Sequence, residues 1–114
     1  MAEGFARAYG ADVMIPASAG LAPAISVARD TIRAMKEKNI ELQDHFPKSV
    51  QHLAKIPFDL VINMSGVNFP STAPMRSWSV KDPVSLSYKS HCEVRDEIEK
   101  LVMSLIMELR REPN

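Results

Sequence analysis

The stretch Phe58-Asp59-Leu60-Val61-Ile62-Asn63-Met64 is the clearest strand signal in this chain of 114 residues. It is a nearly continuous apolar run, and the turn residue Gly66 follows shortly after it. Strands of a parallel sheet are covered by helices on both faces, so they read as unbroken apolar runs rather than as alternating ones. The stretch therefore predicts a buried strand of a parallel sheet.

Helical patterns precede this strand. Apolar residues recur at helical spacing over residues 2–9, and Gly10 is a residue type that ends helices in a left-handed conformation. A second helix is predicted to begin at Pro23 and to end near Asn39, and a further helical turn is predicted from Pro47. The buried stripe of the second helix is predicted to comprise Ile25, Ala28, Ile32 and Met35.

The last predicted helix is the longest. Ser90 followed three residues later by Glu93 fits a capping box, which predicts the start of the helix at this point. One apolar stripe then runs along the helix, widened by Met103 and Met107. The stripe comprises Val94, Ile98, Leu101, Val102, Leu105, Ile106 and Leu109. We expect this stripe to pack against the sheet.

Two shorter strands complete the pattern. Val13–Ile15 reads as a strand that ends at Pro16, and Trp78 and Val80 alternate like a short strand in a loop-rich region. Helices and strands then alternate as in a three-layer α/β domain, a parallel sheet flanked by helices, that begins one strand late. The length fits a single domain over residues 1–114.

Composition narrows the classes of partner. Fourteen basic residues balance fourteen acidic ones, which argues against nucleic acid and against an anionic membrane surface as partners. No apolar run is long enough to span a bilayer, so we expect a cytoplasmic protein. The single cysteine, Cys92, rules out an internal disulfide and a cysteine-rich metal site. No cofactor is expected.

Several short segments, taken in order, resemble the low-molecular-weight protein tyrosine phosphatases and the related arsenate reductases. They are Met1-Ala-Glu-Gly-Phe-Ala-Arg7, Ser18-Ala-Gly20, Ile40-Glu-Leu42, Phe58-Asp-Leu-Val-Ile62, Trp78-Ser-Val-Lys-Asp-Pro83 and Val94-Arg-Asp-Glu-Ile98. In that family a first strand leads into a Cys-x5-Arg phosphate loop, and the Met-Ala-Glu helix follows the loop. The resemblance implies a domain truncated at the N-terminus, with that strand and loop missing.

The chemistry of the family explains why the loop matters. Its backbone amides and arginine hold a tetrahedral oxyanion, its cysteine thiolate attacks phosphorus or arsenic, and an aspartic acid before a proline protonates the leaving oxygen. The resemblance implies that Asp82 is this general acid, and that it acts only when the loop is supplied. Taken alone, Asp82 before Pro83 indicates no more than a turn. Cys92 does not fit the pattern, because Arg95 follows after only two intervening residues.

Two residues indicate which branch of the family, phosphatase or arsenate reductase, this chain resembles. Trp78, four residues before Asp82, resembles the arsenate reductase side. Thioredoxin-coupled reductases carry a resolving cysteine at the position of Ser65, so the resemblance excludes an intramolecular disulfide relay. Phosphate monoester hydrolysis and arsenate reduction with an external thiol both stay open, with phosphate, arsenate or a phosphotyrosine-type group as the ligand of a complete member.

No chemical role is assigned to the remaining candidate residues. His45, His52 and His91 lack metal-ligand spacing and are expected to be solvated or locally bonded. Cys92 is expected to pack partly against the core, and Ser18 to serve close packing.

Whether the polypeptide is an enzyme is left open. One hypothesis is an inactive, truncated family member, by a start-site error or real truncation. The alternative is a non-catalytic interaction or regulatory module that pairs with itself or another chain through open sheet edges.

Overall fold

A computed structural model of the chain describes residues 1–19, 29–42, 56–67, 71, 73–81 and 87–111. Within these residues the chain forms helices and a small parallel sheet. The elements in order are α1 (Ala2–Tyr9), α2 (Arg29–Lys36), β1 (Val61–Asn63), β2 (Met75–Ser77) and α3 (Tyr88–Arg111). The α/β fold class with a parallel sheet is therefore confirmed.

The core lies where α3 packs against both α1 and α2. Its buried members are Phe5, Ala6, Met35, Ile40, Leu42, Val94, Ile98, Val102 and Ile106. Four of these belong to the stripe predicted for the last helix, at the spacing of three to four residues that places side chains on one helix face. Met103 packs against this core, whereas Met107 is 54% exposed, so the prediction that Met107 widens the buried stripe is wrong.

The end of α1 is fixed by its contact with α3. The N–H of Gly10 donates to the carbonyl of Ala6 at 2.8 Å, so the helix ends where predicted. Its φ is −124°, so the predicted left-handed conformation is wrong. Glycine is needed here for space, because a Cβ at Gly10 would lie 2.8 Å from Cγ1 of Ile106.

A Schellman motif ends α2. Asn39 adopts a φ of +60°, and its N–H donates to the carbonyl of Lys36 at 2.9 Å. The N–H of Ile40 donates to the carbonyl of Met35 at 3.1 Å, and both side chains lie in the core. The predicted end near Asn39 is confirmed. Of the stripe predicted to be buried, Met35 is buried, but Ile32 is exposed, so that part of the prediction is wrong. The predicted start at Pro23 and the turn from Pro47 lie outside the described residues.

The two strands pair in parallel, with Val61 opposite Met75 and Asn63 opposite Ser77. The ladder extends by one bond at its far end, where the N–H of Trp78 donates to the carbonyl of Asn63 at 2.9 Å. β1 is thus shorter than the apolar run that predicted it. β2 precedes the Trp78–Val80 alternation, so that strand prediction was misplaced by a few residues, since pairing with β1 determines where a strand forms.

The strand predicted at Val13–Ile15 is wrong. The carbonyl of Gly10 accepts the N–H groups of both Val13 and Met14 at 3.0 Å, which makes this segment a turn. Ile15 is 97% exposed. An apolar run becomes a strand only where another strand takes up its backbone groups, and the described residues place none beside this segment.

The start of α3 also differs from the prediction. Ser87, not Ser90, caps the helix: its Oγ accepts the backbone N–H of Ser90 at 3.2 Å, and its carbonyl accepts the N–H of His91 at 2.8 Å. Ser90 is therefore the third residue of the helix, and the predicted capping box with Glu93 is wrong.

A double-mutant cycle tests the contact between Gly10 and Ile106. Gly10→Ala should lower the free energy of unfolding by about 1–3 kcal/mol, because the added methyl group overpacks a fully buried site. In an Ile106→Ala background the same change should cost much less, since the two nearest atoms are gone and only the carbonyl oxygen of Ala6, at 3.1 Å, stays close. Urea denaturation measures both effects. Additive effects, within about 0.5 kcal/mol, would show that the two residues do not press on each other.

Candidate functional site

A closed turn follows β1. The side chain of Asn63, 5% exposed, accepts the backbone N–H of Ser65 at 3.0 Å and its hydroxyl at 2.6 Å, both at Oδ1. Its Nδ2 donates to the carbonyl of Val67 at 2.8 Å. Ser65 Oγ also accepts the N–H of Val67 at 3.2 Å. These bonds shape the loop at the carboxyl end of the strand, the edge where parallel α/β sheets bind ligands.

The segment that leads to Asp82 leaves the sheet at this same edge, because β1 and β2 are parallel. Trp78 is half-buried and packs against the core, while Lys81 is exposed. Asp82, the predicted general acid, lies outside the described residues. The structure therefore describes the chain up to Lys81, the residue before Asp82, but not Asp82 itself.

Glu3 fastens the segment before Gly20 to the first turn of α1. Its carboxylate accepts the hydroxyl of Ser18 at 2.6 Å and Nη2 of Arg7 at 3.0 Å. The same Arg7 nitrogen donates to the carbonyl of Pro16 at 3.2 Å. Glu3 is 8% exposed, and sequence reasoning did not single it out. In the sequence, Glu3 stands out only as an acidic residue in the first turn of a helix. Acidic residues are favoured there by the helix dipole alone, so this position does not by itself indicate a contact with Ser18.

The single thiol belongs to the contact between α2 and α3. Sγ of Cys92 lies 3.5 Å from Oε2 of Glu37, and the hydroxyl of Tyr88 donates to that same carboxylate oxygen. Nη1 of Arg95 lies 3.4 Å from it. The hydrogen bonds from Tyr88 and Cys92, with the nearby charge of Arg95, hold the pKa of Glu37 below its usual range. Cys92 is half-buried, and its contact is with Glu37, so packing against the core stays a prediction.

His91 is buried, with 1% of its surface exposed, and its Nε2 lies 3.0 Å from Oγ1 of Thr31 in α2. Of the two expectations for this histidine, a solvated side chain is wrong, because His91 is buried and hydrogen-bonded within the protein. His45 and His52 lie outside the described residues. Over the described ranges, no three His, Cys, Asp or Glu side chains are grouped so that they could hold a metal ion.

The whole chain, residues 1–114, matches the family described as low molecular weight phosphotyrosine protein phosphatase. The chain belongs to this family. Of the described helices, none has the length and apolar character to cross a membrane.

Three proteins similar to this chain are arsenate reductases. The chain is 28% identical to the glutaredoxin arsenate reductase of Synechocystis sp. (strain ATCC 27184 / PCC 6803 / Kazusa), over 96% of this chain and 87% of the relative. An arsenate reductase in the phosphate binding state superposes with a TM-score of 0.84 at 28% identity, covering 95% of this chain and 86% of that one. Arsenate reductase from Archaeoglobus fulgidus, at 24% identity, shares the fold with a TM-score of 0.80, covering 92% and 86% of the two chains.

The two tyrosines of the chain provide a test of these contacts. Burial and the carboxylate of Glu99 raise the pKa of Tyr9, and the hydrogen bond to Glu37 raises the pKa of Tyr88. Alkaline titration, followed by phenolate absorbance, should therefore show both phenols ionising above pH ~10. Because both folded pKa values are raised, their contribution to stability is full below pH ~10 and is lost as pH rises through them.

Single substitutions show which carboxylate raises the pKa of each tyrosine. Glu37→Gln should return the pKa of Tyr88 towards its ordinary value and leave that of Tyr9 in place, and Glu99→Gln should do the reverse. Glu97→Gln is the control, since Glu97 is exposed on α3 and forms none of these bonds. An unchanged titration in Glu37→Gln would contradict the contact between α2 and α3.

Proposed function

We propose that this chain is the body of a family domain whose parent activity is phosphate monoester hydrolysis or arsenate reduction, and that these 114 residues do not catalyse it by themselves. The observation that supports the proposal is the location of the only thiol. Cys92 is not followed by arginine at the sixth position, and it contacts Glu37 between two helices. The thiol of Cys92 therefore lies within hydrogen-bond distance of a carboxylate and lacks the arginine that a Cys-x5-Arg loop places around an oxyanion.

We propose that a working domain of this family needs two further parts. We propose that a strand and a Cys-x5-Arg loop, joined ahead of α1, would complete the sheet and the oxyanion site. The cysteine thiolate would form a bond to phosphorus or arsenic as the bond to the leaving oxygen breaks. Asp82 would give its proton to that oxygen. The family match and the retained Asp82-Pro83 pair support this role.

A tetrahedral oxyanion is the proposed ligand class. The match to an arsenate reductase in a phosphate binding state supports phosphate and arsenate alike. For reduction, the proposal requires an external thiol, because the chain has one cysteine and Ser65 stands after β1. The name of the Synechocystis relative, which includes glutaredoxin, is consistent with an external thiol donor. A reducing cytoplasm is the proposed compartment, supported by the single free cysteine.

The first test uses the polypeptide as given. Hydrolysis of p-nitrophenyl phosphate should be at background, because loss of a catalytic nucleophile costs on the order of 10⁶-fold in turnover. Release of p-nitrophenol by the purified protein is the measurement. Turnover that co-purifies with the chain and disappears in Asp82→Ala would overturn the proposed inactivity.

A second test restores the missing parts in an extended polypeptide with the family strand and Cys-x5-Arg loop ahead of Met1. Asp82→Asn should then lower turnover by roughly 10²–10⁴-fold, as loss of a general acid does, with anion binding nearly intact. Ser65→Ala is the matched control and should change turnover little, since its hydroxyl serves the turn after β1. Unchanged turnover of a substrate with a poor leaving group in Asp82→Asn would refute the assignment of Asp82.

A second candidate function is a non-catalytic interaction module. Within the described residues β1 pairs only with β2, and the backbone groups of Ile62 point to the other edge because alternate residues of a strand bond to opposite sides. Together with the exposed Ile15, this open edge favours addition of a strand from another chain or a second copy.

Sedimentation combined with hydrogen exchange tests this candidate. We expect association that depends on concentration, with the amide of Ile62 protected only in the associated form. The amides of α3 should be protected in both forms, because its apolar stripe is buried within one chain. A monomer with a slowly exchanging Ile62 amide would rule out an open edge.

A further inference from the structure

The solvent face of α2 carries three cations in a row. Arg29, Arg33 and Lys36 occupy positions i, i+4 and i+7 of the helix, and all three are exposed. Ala34 and Met35, on the opposite face, are buried in the protein. At a rise of 1.5 Å per residue the three positions span about 10 Å along the axis. We refer to Arg29, Arg33 and Lys36 as the α2 basic strip.

The strip keeps its charge available. In the part of the chain that the structure describes, no carboxylate lies within ion-pair distance of these three side chains. By contrast, the neighbouring Lys38 lies 3.2 Å from Glu99 and 3.7 Å from Asp96. Among the described residues, an ion pair formed by Arg29 or Lys36 with a partner would therefore replace water and not an existing pair, whereas the charge of Arg33 already helps to lower the pKa of the nearby Glu37.

The central cation is held in place before any partner arrives. The guanidinium of Arg33 lies over the ring of Tyr88, with Cζ 3.8 Å from the ring centroid. The hydroxyl of Tyr88 donates to Glu37, which fixes the ring in turn. A planar guanidinium resting on a fixed ring loses less conformational entropy on binding than a free side chain.

We propose that the α2 basic strip docks an acidic helical segment of a partner protein. A helix with carboxylates at i, i+4 and i+7 repeats the spacing of the three cations, so it can form three ion pairs side by side. Ile32, which is 41% exposed, borders the strip and gives an apolar side chain of such a helix a surface to cover. This proposal is independent of the oxyanion chemistry proposed above.

The surroundings favour a short acidic segment over a nucleic acid or a membrane. Asp30 on α2 and Glu37, the residue after it, flank the strip, and the whole chain has no net charge. A phosphate backbone or an anionic bilayer would extend over these carboxylates and be repelled, whereas a helix of a few turns would not. An apolar border also suits a protein helix better than phosphates.

The experiment uses a fluorescent alanine-based helical peptide with glutamates at i, i+4 and i+7, with fluorescence anisotropy as the readout. Arg29→Gln/Arg33→Gln/Lys36→Gln should weaken its binding by about tenfold, the combined effect of three exposed ion pairs. Arg33→Lys, which keeps the charge and loses the planar contact with Tyr88, should weaken binding about twofold to threefold. Binding should also weaken as ionic strength rises.

Two matched controls show whether the loss of peptide binding arises from the α2 basic strip. Lys81→Gln/Lys100→Gln/Arg111→Gln removes the same charge from exposed positions outside the strip and should leave binding nearly unchanged. A peptide of the same composition, with glutamates spread around the helix, should bind at least about threefold more weakly. Equal binding of the two peptides, or an equal loss in the control variant, would overturn the proposal. So would tighter, strip-dependent binding of single-stranded DNA or of anionic vesicles.

Discussion

Burial of one face of α3 between α1 and α2 is the interaction on which the rest of the described structure depends. Val94, Ile98, Val102 and Ile106 supply that face, and Ile106 is fully buried beneath Gly10. Burying four aliphatic side chains contributes roughly 1.5–3 kcal/mol each before the entropy of ordering the chain is subtracted. The absence of a side chain at Gly10 is what lets α1 approach closely enough to form this contact.

Polar contacts then fix how α2 lies on α3. Nη1 of Arg95 donates to the carbonyl of Ala34 at 3.0 Å and also reaches Glu37, and His91 bonds to Thr31. Arg95, His91 and Thr31 are buried or half-buried, so the loss of one of these hydrogen bonds should cost on the order of 1 kcal/mol. Apolar packing therefore holds the helices together, while the buried polar pairs select one alignment of them.

The sequence predicted the helices better than the strands, for a physical reason. Helix hydrogen bonds form between residues that are close in sequence. The apolar periodicity that continues to Leu109 was therefore enough to predict α3, and the polar end at Asn39 was enough to predict where α2 stops. Strand hydrogen bonds come from elsewhere in the chain: the run at Val13–Ile15 finds no partner among the described residues and forms a turn, whereas β2 forms opposite β1 at Met75–Ser77. Capping at Ser87 was missed because Ser90 with Glu93 offered an equally good local pattern.

The candidate site was predictable only in part, because its chemistry depends on residues that no local pattern brings together. Asp82 before Pro83 gains meaning from the family and not from its own neighbours in sequence. The turn of Asn63 and Ser65 became visible only once β1 was in place, since Asn63 bonds across four residues to Val67. In the proposed reaction Asp82 would assist a displacement by giving up a proton, but it could not begin one. The proposed reaction therefore depends on a thiolate held in a Cys-x5-Arg loop, whereas Cys92 contacts the carboxylate of Glu37 and no arginine follows it at the sixth position.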